Sequence, residues 1–199
     1  MHYVPTMDGN PWVDRRFRRL FEERQDECFT NKNALGFAVP EPMVNVLFNL
    51  HHIKRHFITS GVGLRHVIDL YFVLRALNEN ENENLFIWIN KLGMKKFFAG
   101  VVWAMQYVLF NENENKNGNF GVKPDARLGR FILQEIMQGG NFGHHDERLK
   151  GVNEMGFRDR WMHYVSVSKV RAKYFPTEVL WSYVFRLRIG IWRKTGIEI

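Results

Sequence analysis

The stretch His51–Leu74, HHIKRHFITSGVGLRHVIDLYFVL, decides the fold class. Leu47, Leu50, Ile53 or Lys54, and Phe57 recur at three- and four-residue steps, the spacing of one face of an α-helix from about Met43 to Ser60. Gly61 is placed to end that helix, because glycine accepts the left-handed conformation that closes a helical C-terminus. A second helical period, from about Gly63 to Leu77, sets Leu64, Ile68 and Tyr71 on one side with Val67, Leu70 and Leu74 beside them. Only Gly61-Val62-Gly63 separates the two helices, so they are expected to pack as antiparallel neighbours.

The same grammar continues in both directions. Upstream, Asn10-Pro11 offers an N-cap followed by proline at the first helical position, and Trp12, Phe17, Leu20 and Phe21 carry an amphipathic helix to about Phe29. Downstream, a short helix is expected over about Leu85–Leu92 and an apolar one over about Met94–Phe110. Pro124-Asp125 opens another, with Leu128, Phe131, Ile132 and Ile136 as its stripe and Gly139-Gly140 as its stop. Two more span about Phe157–Tyr174 and Pro176–Lys194. The polar runs Asn78–Asn84 (NENENEN) and Asn111–Asn119 (NENENKNGN) hold nothing that packs and are expected as Asn/Glu-rich loops. No segment has the residue types of a β-hairpin. Residues 1–199 thus read as a single all-α domain, a compact irregular bundle of seven or eight helices.

Composition narrows the class. With 199 residues, 45% hydrophobic and 25% charged, the chain can bury a full core, which excludes global disorder and collagen-like or disulfide-scaffold architectures. Cys28 is the one cysteine, so there is no internal disulfide and no cysteine-based zinc cluster. The longest uncharged apolar stretch, Phe97–Phe110, falls short of the ~20 residues a membrane-spanning helix needs. The N-terminal residues lack the apolar core of a signal peptide, and a cytoplasmic location is the expectation.

Four groups of residues could carry chemistry. His51-His52-Ile53-Lys54-Arg55-His56 precedes Arg65 and Asp69 on the next helix, and His52 and His56 share a face at i,i+4. That is a metal-ligand spacing, but no glutamate follows the first histidine and Asp69 is the only nearby third ligand, so no metal set is assigned. Two readings stay open. The histidines and Arg65 could hydrogen-bond across the hairpin, with Asp69 pairing Arg65. Alternatively His52, Arg55, His56 and Arg65 form a cationic ledge for a phosphate-bearing ligand, since arginine presents a two-pronged donor to phosphate oxygens.

The second group is Gln138–Asp146, QGGNFGHHD, in which a glycine-rich turn precedes Asn141, His144, His145 and Asp146. A third is charge, a formal +7 overall, with Arg15, Arg16, Arg18 and Arg19 on one helix. Lys169, Arg171, Lys173, Arg186, Arg188, Arg193 and Lys194 crowd the last two helices. Such helices suit nucleic acid or an anionic surface when they are not simply solvated. The fourth is the wealth of aromatic residues, Trp103, Trp161, Trp181 and Trp192 among them, read as core and helix-packing material. Phosphate-loop, dinucleotide-binding and serine-hydrolase motifs are absent from the sequence.

HHIKRHFITSGVGLRHVIDLYFVL and ILQEIMQGGNFGHHDER together resemble the uncharacterised nucleotidyltransferase family of the polymerase-β superfamily, frequent in Bacteroidetes. The pattern H-x-x-x-H-F, then G-x-G-L-R-x-x-x-D, falls on His52, His56, Phe57, Gly61, Gly63, Leu64, Arg65 and Asp69, and G-G-N-F-G on Gly139–Gly143. The likeness extends to Leu180-Trp181 and Ile191-Trp192-Arg193-Lys194. It implies Mg²⁺-dependent transfer of a nucleotidyl group from an NTP to an acceptor, with the metal held by a Gly-Ser turn, an Asp-x-Asp pair and a third carboxylate. This sequence has neither Gly-Ser nor Asp-x-Asp.

Met1-His2-Tyr3 resembles the tail of the family's valine-glutamate-x-histidine strand, which would set the third carboxylate just before residue 1. The resemblance therefore implies a helical C-terminal part that lacks its N-terminal catalytic partner, has no catalytic residue of its own and is inactive alone. Its expected substrate-binding residues are His52, Arg55, His56, Arg65, Asp69, Asn141, His144, His145 and Asp146, facing a nucleotide or another phosphate-bearing small molecule. The competing expectation is a free-standing helical module whose basic helices bind nucleic acid or a protein partner.

Overall fold

A computed structural model describes residues 9–110, 120–139, 151 and 155–195. Among these lie eight helices, α1 (Pro11–Thr30), α2 (Pro42–Thr59), α3 (Leu64–Arg75), α4 (Glu79–Lys91), α5 (Lys95–Leu109), α6 (Ala126–Gly139), α7 (Phe157–Ala172) and α8 (Pro176–Thr195). No strand occurs among the described residues; Lys32 and Ala38 form an isolated antiparallel bridge. The all-α reading and its helix boundaries hold to within about two residues, apart from the start of α4.

Local chemistry explains the starts and stops. The Asn10 side chain accepts from the backbone N–H of Trp12 (3.1 Å) and Val13 (3.4 Å), which would otherwise lack helical partners. At the far end of α2, Gly61 takes φ +98° and its N–H returns to the carbonyl of His56 at 2.7 Å. That left-handed closure turns the chain directly into α3, and α2 and α3 pack against each other as the short connection required. Asp125 caps α6 by accepting from the Leu128 N–H at 2.9 Å.

The expected loop at 78–84 is corrected: from Glu79 onward this segment is the first two turns of α4. The reason is a reciprocal cap. Asn78 Oδ1 accepts from the Glu81 N–H (2.9 Å), and Glu81 Oε2 accepts from the Asn78 N–H (2.8 Å). Glu79 and Glu81 also place negative charge at the positive end of the helix dipole. Buried Leu85 and Ile89 anchor the remainder, and together these terms outweigh the weak helix propensity of alternating asparagine. The second expected loop, 111–119, lies outside the described residues.

α2 is the hub, packing against α3, α4, α6 and α8, while α5 and α6 form the most extensive helix pair. Gly100 and Gly129 permit that pair to approach closely: a Cβ on Gly100 would sit 2.7 Å from Leu128 Cγ, and one on Gly129 would run into the Trp103 ring. The centre is phenylalanine. Phe57 of α2 meets Phe97 of α5 (5.6 Å between centroids), Phe131 of α6 (5.8 Å) and Phe175 after α7 (6.0 Å). The tryptophans serve in helix packing at the margin of the core. Trp103 lies against Gly129 of α6 and stacks on Tyr107, Trp161 leans on Tyr183 and Trp181 meets the exposed Trp12, all three half-buried, while the Trp192 side chain lies outside the described residues. No helix among the described residues is long and apolar enough to cross a membrane.

The reciprocal cap makes a direct prediction. Asn78→Ala should cost about 1 kcal/mol in urea unfolding, whereas Asn80→Ala, past the cap, should be neutral or slightly stabilising.

Candidate functional site

The helical period sorts the run His51–His56 onto different faces of α2. His51 is buried against Phe17 of α1, ring to ring at 4.6 Å. Lys54 is buried as well and forms a 2.9 Å ion pair with Glu178 on α8. Arg55 lies over the Phe185 ring of α8 at 5.5 Å. His52 and His56 alone turn toward the start of α3, where their rings meet edge to face at 4.4 Å.

There His66 joins them, its ring 5.9 Å from that of His52. Phe48 flanks the group, stacked on His52 at 6.2 Å. Two hydrogen bonds set ring orientations: His56 Nδ1 bonds with the Ser60 hydroxyl at 2.9 Å, and His66 Nδ1–H donates to the Gly63 carbonyl at 3.3 Å. The result is three half-buried imidazoles bridging the α2–α3 hairpin. Sequence reasoning found His52 and His56 from their spacing but missed His66. The available signal was the three-residue turn, which forces the first turn of α3 beside the last turns of α2.

Arg65, beside His66 in the first turn of α3, extends into solvent and pairs loosely with Asp69 at 3.7 Å, the i,i+4 contact the spacing suggested. α3 begins at Gly63 without a side-chain cap. Asn141, His144, His145 and Asp146 lie outside the described residues, beyond Gly139 at the end of α6. Among the described residues, no group of three or more His, Cys, Asp or Glu is arranged to hold a metal ion.

Burial is the first cause of an unusual protonation pattern. It pushes the His56 imidazole down to about 4, helped by His52, Arg55 and His66. His52 is lowered by burial and then by His66 and Arg55. At neutral pH both rings are therefore uncharged, and they act as hydrogen-bonding groups rather than fixed cations. An entering anion would reverse the balance, since a neighbouring negative charge favours imidazolium. Protonation and anion binding are thus coupled at this face.

The basic group near the C-terminus also divides. Arg171 is no surface charge: its Nε donates to Glu135 Oε2 at 3.1 Å and its Nη1 to the Ile58 carbonyl at 3.1 Å, all within the core. Lys169, Lys173, Arg186 and Arg188 are exposed. Comparison of the chain with protein-family models, with curated proteins and with solved structures finds no match.

His51 is pushed down to about 3 from an ordinary 6.5, by burial first and then by Lys54, Arg55 and His52. The unfolded chain gains a proton below about pH 6.5 that the folded chain refuses, so stability is full above that value and falls as pH drops toward 3. Between about pH 7.5 and about pH 5, His51 alone should remove roughly 2 kcal/mol from the unfolding free energy. His51→Gln, measured against its own value at neutral pH, should lose that share of the slope. A slope unchanged by this substitution would contradict the assignment.

Proposed function

We propose that the α2–α3 hairpin is a phosphate-binding face, and that the chain is the helical, substrate-facing part of a nucleotidyltransferase-like enzyme. The observation that carries this reading is the convergence of His52, His56 and His66 at the start of α3, beside Arg65. Neutral imidazoles donate hydrogen bonds to phosphate oxygens and gain protons as the anion arrives, while the solvent-exposed Arg65 can swing its guanidinium onto the same oxygens. The uncapped first turn of α3 adds backbone N–H groups and the positive end of the helix dipole. Arg55 contributes field from its seat on Phe185.

The resemblance in the hairpin and in the G-G-N-F-G element suggests the enzyme class, with an NTP as the nucleotidyl donor and pyrophosphate as the leaving group. Mg²⁺ does not fit the residues of this face. Its donors are imidazole nitrogens and guanidinium groups, whereas Mg²⁺ requires oxygen ligands and is repelled by arginine. Metal-holding carboxylates and the transfer step accordingly belong to a catalytic part outside these helices.

Calorimetric titration of the chain with inorganic triphosphate and with ATP tests the reading. Arg65→Ala and His56→Ala should each weaken binding by about tenfold, the value of one charge-assisted phosphate contact. Binding should also take up protons and strengthen as the pH is lowered from about 6 to about 5. Unchanged affinity in both variants, with helicity retained, would remove the proposal.

A further inference from the structure

The net charge of the molecule has a location. Residues 155–195 hold nine Lys and Arg against two acids, Asp159 and Glu178, so the α7–α8 hairpin alone has a formal +7, the value for the whole chain. Within it, the Arg171 charge is neutralised in the core by Glu135, and Glu178 is engaged by Lys54. Of the other basic residues, Arg158, Arg160, Lys169, Lys173, Arg186 and Arg188 are exposed, and the side chains of Arg193 and Lys194 lie outside the described residues.

That outside is also apolar. Leu180, Leu187 and Ile191 of α8 are 59%, 49% and 46% exposed, and their spacing of seven and four residues sets them in one stripe along the helix. Arg188 adjoins the stripe and is exposed. Next to Leu180, Trp181 carries the edge-on Trp12 ring of α1 at 5.7 Å, and Trp12 is 64% exposed.

We propose that the outer face of α8, together with Trp12, seats on an anionic lipid surface. Leu180, Leu187, Ile191 and Trp12 enter the headgroup region, and the basic side chains of the hairpin meet lipid phosphates and carboxylates. Each component matches what such a surface selects: an aliphatic stripe on an amphipathic helix, an indole that is apolar in body and polar at its N–H, and a local excess of Lys and Arg. A second copy of the chain is a poor occupant, because two faces of equal positive charge repel. Nucleic acid would use the charge but gains little from three adjacent aliphatic side chains, since its backbone is read by charge and hydrogen bonds. Leu187 lies about 200° around α8 from Phe185, on which Arg55 of the phosphate-binding face rests, and the proposal does not depend on that face.

Co-sedimentation of the full chain with large vesicles tests the proposal. Vesicles of phosphatidylcholine with about 30 mol% phosphatidylserine should bind at least about tenfold more tightly than phosphatidylcholine alone, and added salt should weaken that binding. Leu187→Gln with Ile191→Gln should reduce binding by about tenfold or more, with helicity unchanged by circular dichroism. Arg188→Gln should reduce it by a few-fold, while His56→Ala leaves it intact. Equal binding to both vesicle types, no effect of the aliphatic substitutions, or tight salt-sensitive retention on DNA without vesicle binding would each overturn the assignment.

Discussion

One buried charge organises this molecule. The Arg171 guanidinium lies in the core, bonded to Glu135 on α6 and to the Ile58 carbonyl near the end of α2, with Phe57 beneath it at 5.8 Å. A charge removed from water must be paired and hydrogen-bonded, and breaking such an arrangement leaves its partner uncompensated. The position of α7 against α2 and α6 is therefore specified by polar geometry. α7 needs that anchor, because Val167 is the only aliphatic side chain it buries fully among its described residues. Other polar ties complete the attachment: Lys54 to Glu178, Arg186 to the Thr59 carbonyl, Tyr164 to Ser182 and Lys96 to the Tyr174 carbonyl.

With one side of α2 committed to this hairpin and another to α1, its remaining exposed edge is left for His52 and His56. The division follows from 100° of rotation per residue. Within six consecutive positions, the five that are polar or basic become a core imidazole, a buried ion pair, a cation on an aromatic ring and two neighbouring histidines, while Ile53 enters the core. Phe57, one residue past the last histidine, joins the phenylalanine cluster that fixes α2 against α5 and α6. His52 and His56 are thus mounted on a helix packed against α3, α4, α6 and α8, where a ligand-positioning group gains from rigidity.

Helix positions were legible because their signals are local. Asn10-Pro11, Gly61, Pro124-Asp125 and Pro176 act within a turn or two, and the apolar period reports which face is covered. At Asn78 the local signal was present, with glutamate three residues on, but the composition of the run obscured it. The site was only half legible. An i,i+4 pair such as His52 and His56 is fixed by helical geometry, whereas the approach of His66 depends on how two helices pack. Arg171 was misread as surface charge because its partner, Glu135, is thirty-six residues away in sequence, and no local pattern announces such a pairing.

The central claim is that the His52 and His56 imidazoles are neutral at rest and become more basic when a phosphate arrives. Ring-nitrogen NMR of His52 and His56, titrated with acid in the absence and presence of inorganic triphosphate, addresses it residue by residue. Without ligand, His52 and His56 should titrate below their ordinary 6.5, with His56 near 4. With triphosphate bound, the midpoints should rise by about one pH unit or more. Titration of His52 and His56 near 6.5 in both conditions, with no response to triphosphate, would contradict the account.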